Sequence, residues 1–237
     1  NWVLDRPENW SLVSDMLTME ADRTAHVGNL LSLAQAGGYP GLVVDYRSVQ
    51  LQDRDLFSQF VGELGKAFHE QGLWVAIVAD TPQLDVDGAW NTGGYDWAAL
   101  GSAVDQLRVV MPLTPSAYEP GGDAEQLVQW AVTQVARYKL VPVFSTLSTD
   151  GQVTVAMDTV LASLGQVSVM QTVTESVIPG TLLNLTLGQV GVLEDPATQA
   201  TGIVVGEETY WLGTPQWLLS RMDLVSRYKL GGVVLRD

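Results

Sequence analysis

The chain has 237 residues, 46% of them hydrophobic, with a formal net charge of −15 and no cysteine. That apolar content is enough for a full core, built as one large α/β domain or as two smaller ones. The acidity argues against phosphate-backbone recognition and against adhesion to anionic lipid, both of which need clustered Lys and Arg, and it suits a neutral or cationic partner.

Without cysteine there is neither a disulfide framework nor a Cys-ligated zinc site. No run of 18 apolar residues occurs, so no membrane insertion is expected, and no signal peptide opens the chain. The chain starts at Asn1 rather than Met, which fits a mature product or an excised fragment whose targeting signals have been removed.

The first periodic stretch, Glu20 to Ala36, repeats apolar residues at Val27, Leu30, Leu31 and Ala34, one face of a helix that Gly37-Gly38 stops. Leu42 to Tyr46 follows as an apolar strand, with Asp45 and Arg47 at its C-terminal end. Asp55 to Gln71 is predicted as a helix with Leu56, Phe60, Leu64 and Phe68 on one stripe, ended by Gly72 at C′. Leu73 to Ala79 is a continuous apolar strand of the type buried on both faces of a parallel sheet. A short helix (Tyr95 to Val104), a strand (Gln106 to Met111), a helix (Ala124 to Tyr138) and a strand (Leu140 to Leu147) complete a run of βαβ units. Residues 148–210, rich in Thr, Val, Gly and Gln, break this rhythm and predict a small α+β insertion with antiparallel strands. Thr214 then caps a helix with Pro215 at N1 that runs to Tyr228, and Gly231 to Leu235 forms a last strand.

Strand ends of this kind are where (β/α) barrels carry their chemistry. The segment Gly38-Tyr-Pro-Gly-Leu-Val-Val-Asp-Tyr-Arg47 resembles the catalytic strand of glycoside hydrolase family 18, the chitinase-like enzymes, whose signature is Asp-x-x-Asp-x-Asp-x-Glu. Arg23, the Phe-x-x-Phe-x-x-Glu-Leu run from Phe57 to Leu64, Tyr95-Asp-Trp, Val104-Asp105 and the closing Tyr228 to Val233 resemble the same family in the same order. The branch with spore-cortex and cell-wall hydrolases is the most similar. The resemblance implies an α/β fold, a partial (β/α)8 TIM-type barrel covering strands three or four to eight, with the α+β insertion after strand seven. It assigns 1–147 and 211–237 to the barrel and 148–210 to the inserted subdomain. A strand near Trp2 to Leu4 would be the third. Open parallel edges invite aggregation, so a partner domain or chain is expected to cover the barrel edge.

The family cleaves N-acetylhexosamine polymers by substrate assistance, with the motif Glu as proton donor, an exception to the paired-carboxylate route. Here the four acidic motif positions read Pro40, Val43, Asp45 and Arg47, and a guanidinium cannot shuttle a proton near neutral pH. The Met-x-Tyr-Asp of family strand six reads Met111-Pro-Leu113-Thr114, and the floor Trp of strand eight falls on Arg236 or is skipped. The resemblance therefore implies a catalytically degenerate member in the cell envelope or outside the cell, with vestigial positions Asp45, Arg47, Met111, Leu113 and Thr114. Such a domain would bind glycan or cell-wall polymer, or act as an envelope scaffold. The alternatives are an active glycosidase using Asp45 or Asp80, and a purely structural interaction module.

Asp45 reads foremost as the structural ion-pair partner of Arg47, and Asp80, Asp85, Asp87, Glu119 and Asp123 as solvated loop acids. Ligand-binding candidates are Asp45, Tyr46, Asp80, Trp90 and Trp211; Trp90, Trp97, Trp211 and Trp217 lie in or near loops or helix starts where a ring can stack on a sugar, but each reads first as core or lid packing. His26 and His69 read as ordinary helix residues. No metal site and no cofactor is expected, because Asp85-x-Asp87-Gly lacks the later ligands of a calcium loop.

Overall fold

The structure is a computed structural model of the chain, and it describes residues 7–164, 167–169, 185–187 and 190–237. The predicted strand at Trp2–Leu4 lies outside the described residues. The chain divides into two compact units. One comprises 1–112, 124–144 and 224–234; the other comprises 113–123, 145–223 and 235–237.

The first unit opens with helix α1 (Pro7–Thr18), which no periodicity in the sequence predicts, followed by α2 (Glu20–Ala36). Strand β1 (Gly41–Val44), helix α3 (Arg54–His69) and strand β2 (Trp74–Ala79) come next. A small hairpin, β3 (Gln83–Leu84) with β4 (Trp90–Asn91), precedes helix α4 (Trp97–Ala103) and strand β5 (Gln106–Val110). Helix α5 (Asp123–Gln134) and strand β6 (Leu140–Ser145) complete the βαβ run. β1, β2, β5 and β6 pair in that order, all parallel, as half of a (β/α) barrel wall.

Two helix ends are built alike. At α2 the Tyr39 N–H reaches the Ala34 carbonyl (2.9 Å) and Gly38, at φ +64°, reaches Gln35 (3.1 Å). At α3 Leu73 reaches Phe68 (3.0 Å) and Gly72, at φ +69°, reaches His69 (3.0 Å). Both are Schellman ends, in which the left-handed residue falls to glycine because a Cβ is disfavoured there. Each turns the chain directly into the next parallel strand.

α3 supplies the core. Phe57, Phe60, Leu64 and Phe68 are buried, each contributing about 1.5–3 kcal/mol of apolar transfer energy. The first position of this stripe is Phe57 rather than the predicted Leu56, which stays half-buried; Phe57 sets its ring edge-on to Tyr95 at 5.7 Å. α1 buries Val13 and Leu17 and packs on α2 and α3. The buried Arg23 donates to the Leu17 carbonyl (2.7 Å) and pairs with Glu63 (3.5 Å), tying the α1 end to α3.

Asp105, before β5, accepts from the Val75 N–H (2.8 Å) and pairs with His69 (2.9 Å). Burial opposes its charge, but these bonds and the nearby Lys139 hold the carboxyl below its ordinary value. A carboxyl with a depressed folded pKa stabilises the fold above its unfolded pKa of about 3.9, and that stability is lost as pH falls through the folded value. With the side chain nearly half exposed, Asp105→Asn is expected to lower stability by about 0.5–1 kcal/mol at pH 7. The gap from wild type should close as urea midpoints are taken from pH 5 down to pH 3.

The second unit carries the antiparallel insertion. Strands β7 (Ser148–Thr149) and β8 (Thr154–Val155) are followed by helix α6 (Met157–Leu164) and the paired strands β9 (Val167–Val169) and β10 (Leu185–Leu187). Then come β11 (Val190–Asp195), β12 (Ala200–Val205) and β13 (Glu208–Trp211), in a sheet ordered β11-β12-β13-β7-β8. Helix α7 (Pro215–Tyr228) starts as predicted, the Thr214 hydroxyl accepting from the Trp217 N–H (3.3 Å), and β14 (Val234–Arg236) lies beside β6 in the parallel sheet. Among the described residues no helix is long and apolar enough to cross a membrane.

Candidate functional site

The C-terminal ends of β1 and β2 bring Asp45, Arg47 and Asp80 together. The ladder of β1 on β2 ends at Val44 and the chain runs on extended, so Asp45 and Arg47, two apart, project to the same side of the backbone. Arg47 folds back on its own strand. Its Nε and Nη2 both hold the Asp45 carboxylate, Nη2 at 3.2 Å, while Nη1 reaches Asp80 Oδ1 at 3.1 Å. This bidentate fork is a geometry that lysine cannot reproduce. The Arg47 side chain is only 12% exposed, against 25% for Asp45 and 37% for Asp80. Burial disfavours the Arg47 charge, yet the bonds and attraction of Asp45, then Asp80, outweigh it and raise the guanidinium above its ordinary value.

Asp80 is more than a solvated loop acid. Its Oδ2 accepts from the Ser48 N–H at 2.7 Å and lies 3.1 Å from the Tyr95 hydroxyl. The same hydroxyl is 2.7 Å from the Tyr46 carbonyl, so its single proton is shared between two acceptors. Burial first, and the Asp80 charge second, push the Tyr95 phenol upward, and it stays a protonated donor. Ser48 takes φ +59°, a left-handed conformation uncommon outside glycine, and the Asp80 bond holds it there.

The loop after Ser48 meets the Gly93-Gly94 pair. The Gly94 N–H donates to the Val49 carbonyl (2.9 Å), and a Cβ on Gly94 would lie 2.5 Å from the Gln50 and Val49 oxygens. This close approach seats Tyr95 over the strand ends. Between the two loops is a cleft of ≈ 300 Å³, lined by Ser48, Gln50, Asp80, Thr81, Asn91 and Tyr95 among others. It opens at the carboxyl ends of parallel strands, the usual place for ligands in such sheets. Its lining offers hydroxyl, amide and carboxylate groups that suit a polyhydroxylated ligand.

The remaining candidates are dispersed. Tyr46 turns away from the cleft, stacking on Phe60 (6.1 Å, 11°) with its hydroxyl 2.6 Å from His26 Nε2. Burial pushes the Tyr46 phenol up to about 12 and lowers the His26 imidazole, so the pair is held neutral at pH 7. His26 is thus a partner of the motif strand, a role its sequence position did not reveal. Trp90 is half-buried against Trp130 (5.7 Å), next to Asn91 at the cleft. Met111 is buried at the end of β5, its N–H on the Val143 carbonyl (3.1 Å). Leu113 and Thr114 belong to the second unit, where Thr114 opens the turn Pro115–Tyr118. Trp211 is there too, half-buried on β13 and lying across Gly202. Trp97 and Trp217 are core residues, closed to any sugar.

No family model matches the chain. It is 25% identical over 138 residues to the putative sporulation-specific glycosylase YdhD of Bacillus subtilis, covering 55% of this chain and 32% of that protein. It is 25% identical over 134 residues to the cortical fragment-lytic enzyme of the same organism, covering 53% and 31%. The chain spans about a third of the length of these curated relatives. Among solved structures, a class V chitinase from Pseudomonas fluorescens superposes with a TM-score of 0.69 at 21% identity, over 93% of this chain and 68% of that one. A glycoside hydrolase family 18 N-acetylglucosaminidase from Paenibacillus barengoltzii gives 0.66 at 15% identity, over 95% and 74%. The chain is a distant sequence relative of these two Bacillus subtilis proteins and shares the chitinase-like fold.

Proposed function

We propose that this chain is a family 18-like domain that binds glycan or cell-wall polymer, or scaffolds an envelope assembly, without hydrolysing it. One observation carries the reading. Arg47, standing where the resemblance puts the proton donor, is locked between Asp45 and Asp80. A guanidinium cannot protonate a leaving oxygen, and the two carboxylates beside it are committed to its charge. The polar cleft beside Asp80 is the part of the site open to a sugar chain. An envelope or extracellular location, and closure of the β1 edge of the half barrel by a partner domain or chain, follow from the same reading.

The test pairs turnover with binding. Chitin oligosaccharides and peptidoglycan should yield no new reducing ends, while N-acetylglucosamine oligomers should bind in calorimetric titration, more weakly after Asn91→Ala. Turnover that vanished in Asp45→Asn would make the chain an active glycosidase with shifted acids. Absence of both turnover and binding would leave a structural module. Arg47→Glu is expected to restore no activity and to destabilise the fold, since it sets three carboxylates side by side.

A further inference from the structure

We propose that strand β11 is a docking edge for an extended, basic segment of a partner polypeptide, which adds to the insertion's sheet as a further strand. β11 pairs with β12 in an unbroken antiparallel register from Val190↔Val205 to Asp195↔Ala200, and among the described residues it has no neighbour on its other side. Its outer row of N–H and C=O groups is matched in spacing by another peptide backbone, not by a sugar chain. Natural edge strands are commonly blunted by Lys, Pro or bulges, and Val190–Asp195 has none of these. Val192 is 71% exposed and Leu193 45% exposed, on opposite faces, so an added strand would find apolar contacts on both.

Charge selects the occupant. From Ser148 to Tyr210 the sequence holds seven Asp and Glu and no Lys or Arg. Glu194 and Asp195 stand at one end of the β11–β12 ribbon, and Glu207 and Glu208 at the other. Asp195 is used internally, accepting from the Ala197 N–H (2.9 Å) and the Thr198 hydroxyl (2.6 Å), which leaves Glu194 to face outward. Beside it opens a cavity of ≈ 490 Å³ walled by Glu194, Gln199, Thr201, Thr214 and Gln216, large enough for a Lys or Arg side chain and with neither residue type in its wall. A second copy of the chain is disfavoured as occupant because each copy carries −15 and the facing surfaces are both acidic. A segment alternating apolar and basic residues satisfies the edge, both faces and the charge together.

The experiment titrates the full chain with a capped synthetic peptide of alternating Val and Lys, and with the same peptide carrying Glu for Lys. The Lys peptide should bind, slow hydrogen exchange of the Gly191–Leu193 amides, and weaken about tenfold or more at 0.5 M salt. Val192→Lys, at an exposed site that leaves the fold intact, should weaken binding about tenfold, and Glu194→Lys similarly. Should Val192→Lys lower Tm, Leu193→Lys makes the same test on the other face. The proposal is overturned if the Glu peptide binds equally, if the variants bind as wild type, or if protection appears away from β11. It is also overturned if sedimentation shows the chain dimerising through β11, with Val192→Lys returning it to monomer.

Discussion

Asp80→Ala is expected to lower the unfolding free energy by about 2–4 kcal/mol, read as a fall in urea midpoint at constant slope. The effect is large because one carboxylate serves three donors: Arg47 Nη1, the Ser48 N–H and the Tyr95 hydroxyl. Removing it leaves Nη1 of a guanidinium only 12% exposed without its acceptor, while Nε and Nη2 keep Asp45, and it frees the left-handed Ser48 backbone from its acceptor. The figure is set below that for a fully buried pair because the Asp80 side chain is 37% exposed and water can reach the vacated space. Asp80→Asn keeps one acceptor oxygen and should lose about half as much. A loss under about 0.5 kcal/mol for Asp80→Ala would mean that the cluster does not hold the strand ends together.

Gly94→Ala is expected to destabilise by about 1–3 kcal/mol, the range for overpacking a fitted contact. The added methyl would sit 2.5 Å from two backbone carbonyl oxygens, at Val49 and Gln50, and neither is a flexible side-chain end. Relief requires the 48–50 loop to part from Tyr95, which enlarges the cleft and draws the phenol from Asp80. The variant should therefore also lose affinity for N-acetylglucosamine oligomers. Gly28→Ala is the matching control. Gly28 lies exposed in α2 with nothing within 4 Å of a Cβ, and there the substitution should stabilise by about 0.5–1 kcal/mol. Thermal melts of the two variants should shift in opposite directions.

The elements that were legible in the sequence are those whose signal is local. α2 and α3 announce themselves by apolar residues three and four apart and by glycines that terminate them; β2 and β6 by unbroken apolar runs buried on both faces. Helix α1 was missed because its first turns contain Pro7, Glu8 and Asn9 and it lacks a long stripe. It is helical because α2 and α3 cover Val13 and Leu17. Phe57 replaced Leu56 on the α3 stripe for a related reason: the periodicity allows either, and the Tyr95 ring chooses.

The candidate site divides in the same way. That Asp45 and Arg47 share one side of a strand end is a property of the extended backbone, and the sequence alone determined it. That Arg47 also reaches Asp80, 33 residues away, that Asp80 pins Ser48 and Tyr95, and that Tyr46 turns back to His26 were decided by tertiary structure. The reason is geometric. Spacing within a segment sets which face a side chain takes, whereas pairing across parallel strands is set by the register of β1 on β2, Val44 against Ile77, which brings the two strand ends level. Residue types and local periods named the elements and the charges at their tips; the register of the sheet joined those charges into one cluster.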